Sequence, residues 1–223
     1  MRKVIISLGG IVIVPNKVNY SYLKQFKKLI LKFSKKNKVI IVCGGGHTAR
    51  EYIDSLKGKF DKKVYGLIGV AATRLNARLV DGVFNREEKI PETVKEVKNK
   101  LKKHNLVICG ALEYHSNMTT DGNAAELASA LKADIINITN VKGLYNKDPK
   151  KYKNAKLIKN INFKDFNKMI SKIKFHAGQH FVLDQSASKM IMKNKIKVYI
   201  VDSNLKNLKK CLYGKSFVGT IIS

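Results

Sequence analysis

Proline is nearly missing from this sequence: Pro15, Pro91 and Pro149 are its three examples in 223 residues. With so little proline and no Ser-rich or low-complexity tract, no stretch reads as a linker, and no 20–50-residue repeat is present, so one domain over 1–223 is expected. Cysteine is as scarce. Cys43, Cys109 and Cys211 are odd in number, widely spaced and form no CxxC, which sets aside a disulfide framework and a structural zinc. Reduced thiols in a cytoplasmic protein are expected. No apolar run approaches the ~18 residues that span a bilayer, so no membrane partner is expected. The opening Met1-Arg2-Lys3-Val4-Ile5-Ile6 is broken by Gly9-Gly10 with no small-residue cleavage site after it, and reads as a first strand, not a signal peptide.

Acidic residues are also few, 16 against 44 Lys and Arg, for a formal net charge of +28. Such an excess invites nucleic acid, but a localised stripe would be its footprint. Here lysine is spread over nearly every helical pattern, as in Lys24, Lys27, Lys28 and Lys32 or Lys95, Lys98 and Lys100. That reads as a solvated surface attracting small anions, and it argues against specific nucleic-acid recognition. Apolar residues reach 44%, enough for a packed core.

Short apolar runs alternate with helical periodicity. Val4–Leu8, Val39–Val42, Leu106–Cys109, Asp134–Ile138, Lys197–Val201 and Gly219–Ile222 read as strands. Helices are predicted over Tyr20–Ser34, His47–Leu56, Ile68–Val80, Pro91–Lys103, Asp121–Leu131, Asn162–Lys172 and Asp184–Lys193, with Pro91 as a first helical residue. The alternation predicts an α/β fold, a mainly parallel sheet covered on both faces, with ligands beyond the carboxyl ends of its strands.

Glycine is concentrated at those ends. Gly9-Gly10 follows the first strand and can bring bare backbone to a phosphate, or form an ordinary turn. Gly44-Gly45-Gly46-His47-Thr48-Ala49-Arg50 is the stronger signal: three glycines between a strand and a helix make an anion site, with Arg50 one turn in to fork onto phosphate oxygens. The same stretch fits a dinucleotide fingerprint, but Asp61, the nearest acid, lies before the next apolar run instead of after it. No GxxxxGK[ST] occurs, which excludes a P-loop kinase. Met118-Thr119-Thr120-Asp121 is either a helix cap or a phosphate-binding corner. Thr139-Asn140 with Tyr145 and Asp148 makes a polar rim suited to a nucleoside, or a plain turn. His47, His104, His115, His176 and His180 show no metal-ligand spacing, so no protein-held metal is expected.

Taken in order, these segments resemble the amino acid kinase family, and within it the archaeal type of uridylate kinase. The matching stretches are Ile5-Ile6-Ser7-Leu8-Gly9-Gly10, Val42 through Arg50, Ile68 through Ala77, Thr119 through Ala128, Ile138 through Lys151, Val182 through Lys189, and Gly219-Thr220-Ile221-Ile222. They run nearly end to end. The resemblance implies a three-layer α/β/α sandwich, with acceptor binding in roughly 1–130 and ATP binding in roughly 131–223. It implies transfer from ATP to UMP with Mg²⁺, in a homo-oligomer built as a hexamer, a trimer of dimers. On this pattern Gly9, Gly10, Gly46, Arg50, Thr139, Asn140, Tyr145 and Asp148 meet ATP. Gly45, Asn117, Met118, Thr119 and Thr120 meet UMP, as does position 66. Asp121, with Gly9, Gly10 and Arg50, serves the reacting centre.

The chain departs from that pattern at several points. Ile11 stands for a Ser and Lys142 for an Asp, while Ser7 stands where bacterial relatives carry a Lys. Gly66 takes the place of an Asp that contacts the acceptor ribose, leaving Asp61 or Glu113 as replacements. Glu113-Tyr114-His115-Ser116-Asn117 replaces a shorter Pro-Gly. The alternatives are a kinase of the same fold for another phosphate or carboxylate acceptor, a nucleotide- or RNA-binding regulator without turnover, and, more distantly, a dinucleotide oxidoreductase.

Overall fold

The computed structural model describes residues 1–56, 58, 60–114, 119–149, 151–172 and 183–223. Its elements in chain order are β1 (Lys3–Leu8), α1 (Gly10–Ile13), α2 (Tyr20–Ser34), β2 (Lys38–Cys43), α3 (Gly46–Leu56), α4 (Lys62–Val83), α5 (Val94–Lys103), β3 (Leu106–Cys109) and α6 (Thr120–Leu131). They continue as β4 (Asp134–Thr139), β5 (Leu144–Tyr145), β6 (Leu157–Ile158), β7 (Asn160–Ile161), α7 (Phe163–Ser171), α8 (Gln185–Asn194), β8 (Val198–Asp202), α9 (Leu205–Leu212) and β9 (Thr220–Ile222).

Among the described residues, seven strands form one sheet in the order β3-β2-β1-β4-β8-β9-β7. The first five run parallel, and β9 lies antiparallel to β8. Parallel strands are buried on both faces, which is why β1 and β2 are apolar almost throughout. Alternation then sorts their side chains. Val4, Ile6 and Leu8 point to one face with Leu23, Phe26 and Ile30 of α2, Ala77 and Val80 of α4, and Leu208 of α9. Ile5, Ile40 and Val42 point to the other, with Val97 of α5, Ala124 and Leu127 of α6, Phe166 of α7 and Ile191 of α8. The order of the strands reverses between β1 and β4. At that switch point a crevice opens beyond the carboxyl edge.

The two glycine turns meet at this edge, back to back. A Cβ on Gly10 would fall 2.7 Å from the carbonyl carbon of Gly44, inside the space taken by the backbone of Gly46. Gly46 itself has φ +65°, a left-handed conformation that glycine adopts without strain. Gly44 N–H donates to Leu8 O (3.0 Å) and His47 N–H to Val14 O (3.0 Å), tying the second turn to the first.

Several boundaries differ from the sequence reading. Helix α5 starts at Val94, not Pro91, because Thr93 caps it by accepting from Glu96 N–H (3.1 Å) while the Glu96 carboxylate accepts from Glu92 N–H (2.7 Å). Helix α4 extends back to Lys62, where Asp61 is its cap. Helices α1 and α9 and the two-residue strands β5, β6 and β7 were not predicted.

Two glycines test this packing from opposite directions. Gly10→Ala is expected to lose ~3 kcal/mol or more in urea denaturation, since backbone must move to admit the methyl. Gly82→Ala, in α4 with nothing within 4 Å of the added carbon, is expected to gain ~0.5–1 kcal/mol from helix propensity.

Candidate active site

The crevice at the switch point is a cleft of about 300 Å³ lined by Ser7, Gly9, Gly10, Gly44, Gly45, Arg50, Thr119, Thr120, Asp121 and Asp184. Four separate segments of the chain supply it, and the sheet brings them together. Arg50 comes from the second turn of α3 and pairs with no carboxylate among the described residues, so its guanidinium is available to an anion. Thr119 caps α6, accepting from Asp121 N–H (3.1 Å), so the positive end of that helix faces the cleft. Asn76 on α4 clamps the second glycine turn, its Nδ2 donating to Gly44 O (2.7 Å) and Gly45 O (3.0 Å).

Asp121 forms the floor. Its Oδ1 accepts from Ser7 Oγ (2.9 Å) and from Asn137 Nδ2 (2.9 Å). Ser7 and Asn137 are register partners on β1 and β4. Each shares its strand's α6-facing side with an apolar neighbour, Ile5 or Ile135. Two polar residues thus replace apolar ones in adjacent buried strands, both to reach one carboxylate. Burial, with the Asp184 carboxylate adding to it, pushes Asp121 up to about 7, and the two hydrogen bonds oppose that rise. The group can therefore change charge near neutral pH, a property concentrated in functional clefts.

Asp184 links the halves of the cleft. It caps α8 by accepting from Ala187 N–H (2.7 Å), and its other oxygen accepts from Thr119 Oγ1. Asn123 secures the same corner, with Nδ2 on Thr119 O (2.9 Å) and Oδ1 accepting from Leu112 N–H (2.9 Å). Sequence reasoning assigned no role to Asn76, Asn123, Asn137 or Asp184. The available signal was a polar residue within an apolar run, as in Ile135-Ile136-Asn137-Ile138.

The other expected site residues are placed as follows. Gly9 lies in the cleft, but its N–H is occupied by Ile138 O (3.0 Å) and is not free for a phosphate. Gly46 stands behind Gly10 and is not among the lining residues. Thr139 and Asn140 end β4 beside Gly9, with Tyr145 in β5 and Asp148 in the loop after it; none of the four lines the cleft. Asn117 and Met118 lie outside the described residues, as do His115, His176 and His180. Asp61 is occupied as the cap of α4, accepting from Lys62 N–H (3.0 Å). All three cysteines are buried. Burial pushes Cys109 and Cys211 up to about 12 and Cys43 well above its usual range, which makes them poor nucleophiles. Among the described residues no cluster of three His, Cys, Asp or Glu is placed to hold a metal, and no helix is long and apolar enough to cross a membrane.

Residues 2–202 match the model of the amino acid kinase family. The chain is 36% identical over 224 residues to the uridylate kinase of Thermoplasma volcanium, covering 99% of this chain and 97% of that one. The crystal structure of uridylate kinase from Archaeoglobus fulgidus superposes with a TM-score of 0.87 at 34% identity, covering 100% of both chains. UMP kinase from Bacillus anthracis, at 22% identity and a TM-score of 0.79 over 100% of this chain and 96% of that one, shares the fold.

The raised Asp121 has a consequence for stability. Unfolded, it ionises near its ordinary value of 3.8, while folded it holds its proton to about 7. Between these values the unfolded state binds fewer protons, so this group's contribution falls as pH rises through that window and is level above it. Relative to wild type, Asp121→Asn is expected to gain stability steadily from pH 4 to 7 and then no more, as read by urea midpoints. A difference that is flat with pH would contradict a buried, protonated Asp121.

Proposed function

The chain belongs to the amino acid kinase family, and on that premise we propose that it is a UMP kinase, transferring the γ-phosphoryl group of ATP to UMP to give UDP and ADP. The observation that carries this reading is the cleft at the switch point. Bare backbone at Gly9, Gly10, Gly44 and Gly45, one unpaired arginine and a helix N-terminus with two threonines converge on a single space. Among the described residues, the lining includes no cysteine, histidine or lysine nucleophile. Phosphoryl transfer asks for little else: donor and acceptor phosphates held in line, with charge on the equatorial oxygens absorbed by donors.

In this reading an oxygen of the UMP phosphate attacks the γ-phosphorus as the bond to the ADP oxygen breaks. The acceptor is already an anion, so no side chain has to remove a proton. Arg50 and the backbone of Gly10 and Gly45 hold phosphate oxygens, and Gly9 keeps the turn seated on β4. Thr119 and Thr120, with Asn117 and Met118 beside them, face UMP. Gly46, Thr139, Asn140, Tyr145 and Asp148 border ATP. Asp121 sets the charge at the floor, and cationic charge arriving there favours its ionised form.

Mg²⁺ would travel with the ATP phosphates, because two cleft carboxylates are too few for a protein-built site but fit a cation that keeps its own waters and phosphate ligands. Asp121 and Asp184 would hold it, and it would neutralise charge on the transferring group. The acceptor part occupies roughly 1–130 and the ATP part roughly 131–223 of one domain, which works in the cytoplasm in pyrimidine nucleotide synthesis.

A homo-oligomer, a hexamer built as a trimer of dimers, completes the reading. Helix α3 has no fully buried residue, although its sequence is amphipathic. Tyr52 on α3 and Leu67 and Leu75 on α4 stand exposed at 62%, 46% and 60%. This face also lacks lysine from Val39 to Leu56 and from Val64 to Glu88, in a chain where lysine covers most other surfaces. Exposed apolar side chains in lysine-free stretches are less costly to desolvate against a second copy than the lysine-covered surfaces.

The direct test is ADP release from ATP·Mg²⁺ against UMP, CMP, dUMP, AMP, GMP, glutamate, aspartate and carbamate. Turnover with UMP well above the others is expected; turnover only with a different acceptor would keep the phosphoryl transfer and overturn the substrate. Light scattering is expected to show an oligomer that Leu75→Glu dissociates, and a monomeric wild type would end the assembly reading.

A further inference from the structure

Two features of the sequence that looked unrelated, the glycine at position 66 and the long segment entered at Glu113, meet in one contact. A Cβ on Gly66 would overlap the ring of Tyr114, lying 3.1 Å from its Cζ and 3.2 Å from its Oη. Tyr114 therefore sits edge-on against α4, and a side chain at 66 would have to displace it. Its hydroxyl lies as near to that Cβ as its Cζ does, so the polar end of the ring stands beside the helix at position 66. That hydroxyl makes no hydrogen bond to another described residue, and the ring is only partly buried.

The position of the ring is built, not incidental. The segment leading to it is fixed to α4 at three points: Ala111 N–H donates to Thr73 Oγ1 (2.8 Å), while Arg74 donates to Ala111 O (3.2 Å) and Leu112 O (2.6 Å). Glu92 holds Arg74 in turn (2.6 Å). Gly110 lets the two backbones approach, since a Cβ there would lie 2.6 Å from the Thr73 carbonyl carbon.

The same helix borders the cleft. A Cβ on Gly45 would touch Ala72 Cβ and Thr73 Cγ2, each at 3.8 Å. Gly66 precedes Thr73 by seven residues, so it lies on the same face about two turns, or ~10 Å, away. Between them Gly69 has nothing within 4 Å of an added Cβ. Open helix surface at Gly69 thus lies between the buried Ala72 and Thr73, which back the phosphate end of the cleft at Gly45, and Tyr114. A nucleoside extending from a phosphate held by Gly45, Thr119 and Thr120 would lie along that surface.

We propose that Tyr114 is a specificity-determining residue of the acceptor site, seated on Gly66 so that its hydroxyl meets the sugar of the acceptor nucleotide. This rests on the kinase reading above. The phenol hydroxyl partners one sugar hydroxyl, so it selects an acceptor by hydrogen bonding. Glu113, exposed beside it, and Asp61, occupied as a cap, are not the groups that do this.

The test compares KM for UMP, for 2′,3′-dideoxy-UMP and for ATP in wild type, Tyr114→Phe and Gly66→Ala. Wild type is expected to favour UMP over the dideoxy analogue by about tenfold, the worth of one neutral hydrogen bond. Tyr114→Phe should abolish that preference with KM for ATP and kcat within about twofold. Gly66→Ala should do the same by shifting the ring, while thermal stability holds or rises as alanine replaces a helical glycine. An unchanged preference in Tyr114→Phe, or an equal rise in KM for both nucleotides and ATP, would overturn the proposal. Absence of wild-type turnover with UMP would instead overturn the substrate reading, and the same comparison on the acceptor that does turn over would still decide Tyr114.

Discussion

Everything at the carboxyl edge of the sheet depends on how closely two glycine turns approach each other. Gly10 and Gly44–Gly46 pack backbone against backbone, at a separation that no side chain at position 10 or 44 can share. Because no side chain intervenes, β1 and β2 end at the same level and their main chains form the cleft wall. Arg50 reaches the cleft only because α3 begins at Gly46, and Asn76 is free to clamp the second turn only because the first one is seated. A phosphate here meets amide dipoles fixed in advance, which need not reorganise as charge moves.

The second constraint is electrostatic. A carboxylate at the floor of an anion site looks misplaced, and burial does push Asp121 toward its neutral form. Ser7 and Asn137 keep it usable: both donate to Oδ1, so the ionised form remains accessible at physiological pH. Asp184 raises Asp121 while holding Thr119, which couples the charge of the floor to the position of the acceptor corner. The large positive charge of the chain lies mostly elsewhere, on solvated lysines, and among the described residues the cleft lining has one cation, Arg50.

Much of this arrangement was legible in the sequence where a pattern is long or local. Helix α2 at Tyr20–Ser34 is legible because Leu23, Phe26, Leu29, Ile30 and Phe33 repeat at helical spacing, and all but the half-buried Leu29 are buried. Helix α9 has a cap at Asn204 and apolar spacing at Leu205, Leu208 and Leu212, a signal of only eight residues directly after a strand. Pro91 misled the start of α5, although Thr93 and Glu96 spell a capping box. Strands of two residues carry no periodicity to read. At the site, the glycine turns are legible as composition at strand ends and Arg50 as a cation one turn into the next helix, while Thr119, Thr120 and Asp121 stand at a loop-to-helix junction, where a cap and a phosphate corner read alike. The pairing of Ser7 with Asn137, and of Gly66 with Tyr114, could not be read, because each joins residues that only the sheet register or a helix face brings together.

In the kinase reading proposed above, donor and acceptor nucleotides meet over Gly9-Gly10 in one cleft, their phosphates on the same glycine backbone. Calorimetric titration with a bisubstrate ligand, adenosine and uridine joined 5′ to 5′ by five phosphates, tests this most directly. One ligand per chain, displaced by ATP and by UMP alike and weakened strongly by Arg50→Ala, is the predicted result. Two ligands per chain, or displacement by only one of the nucleotides, would contradict a shared cleft.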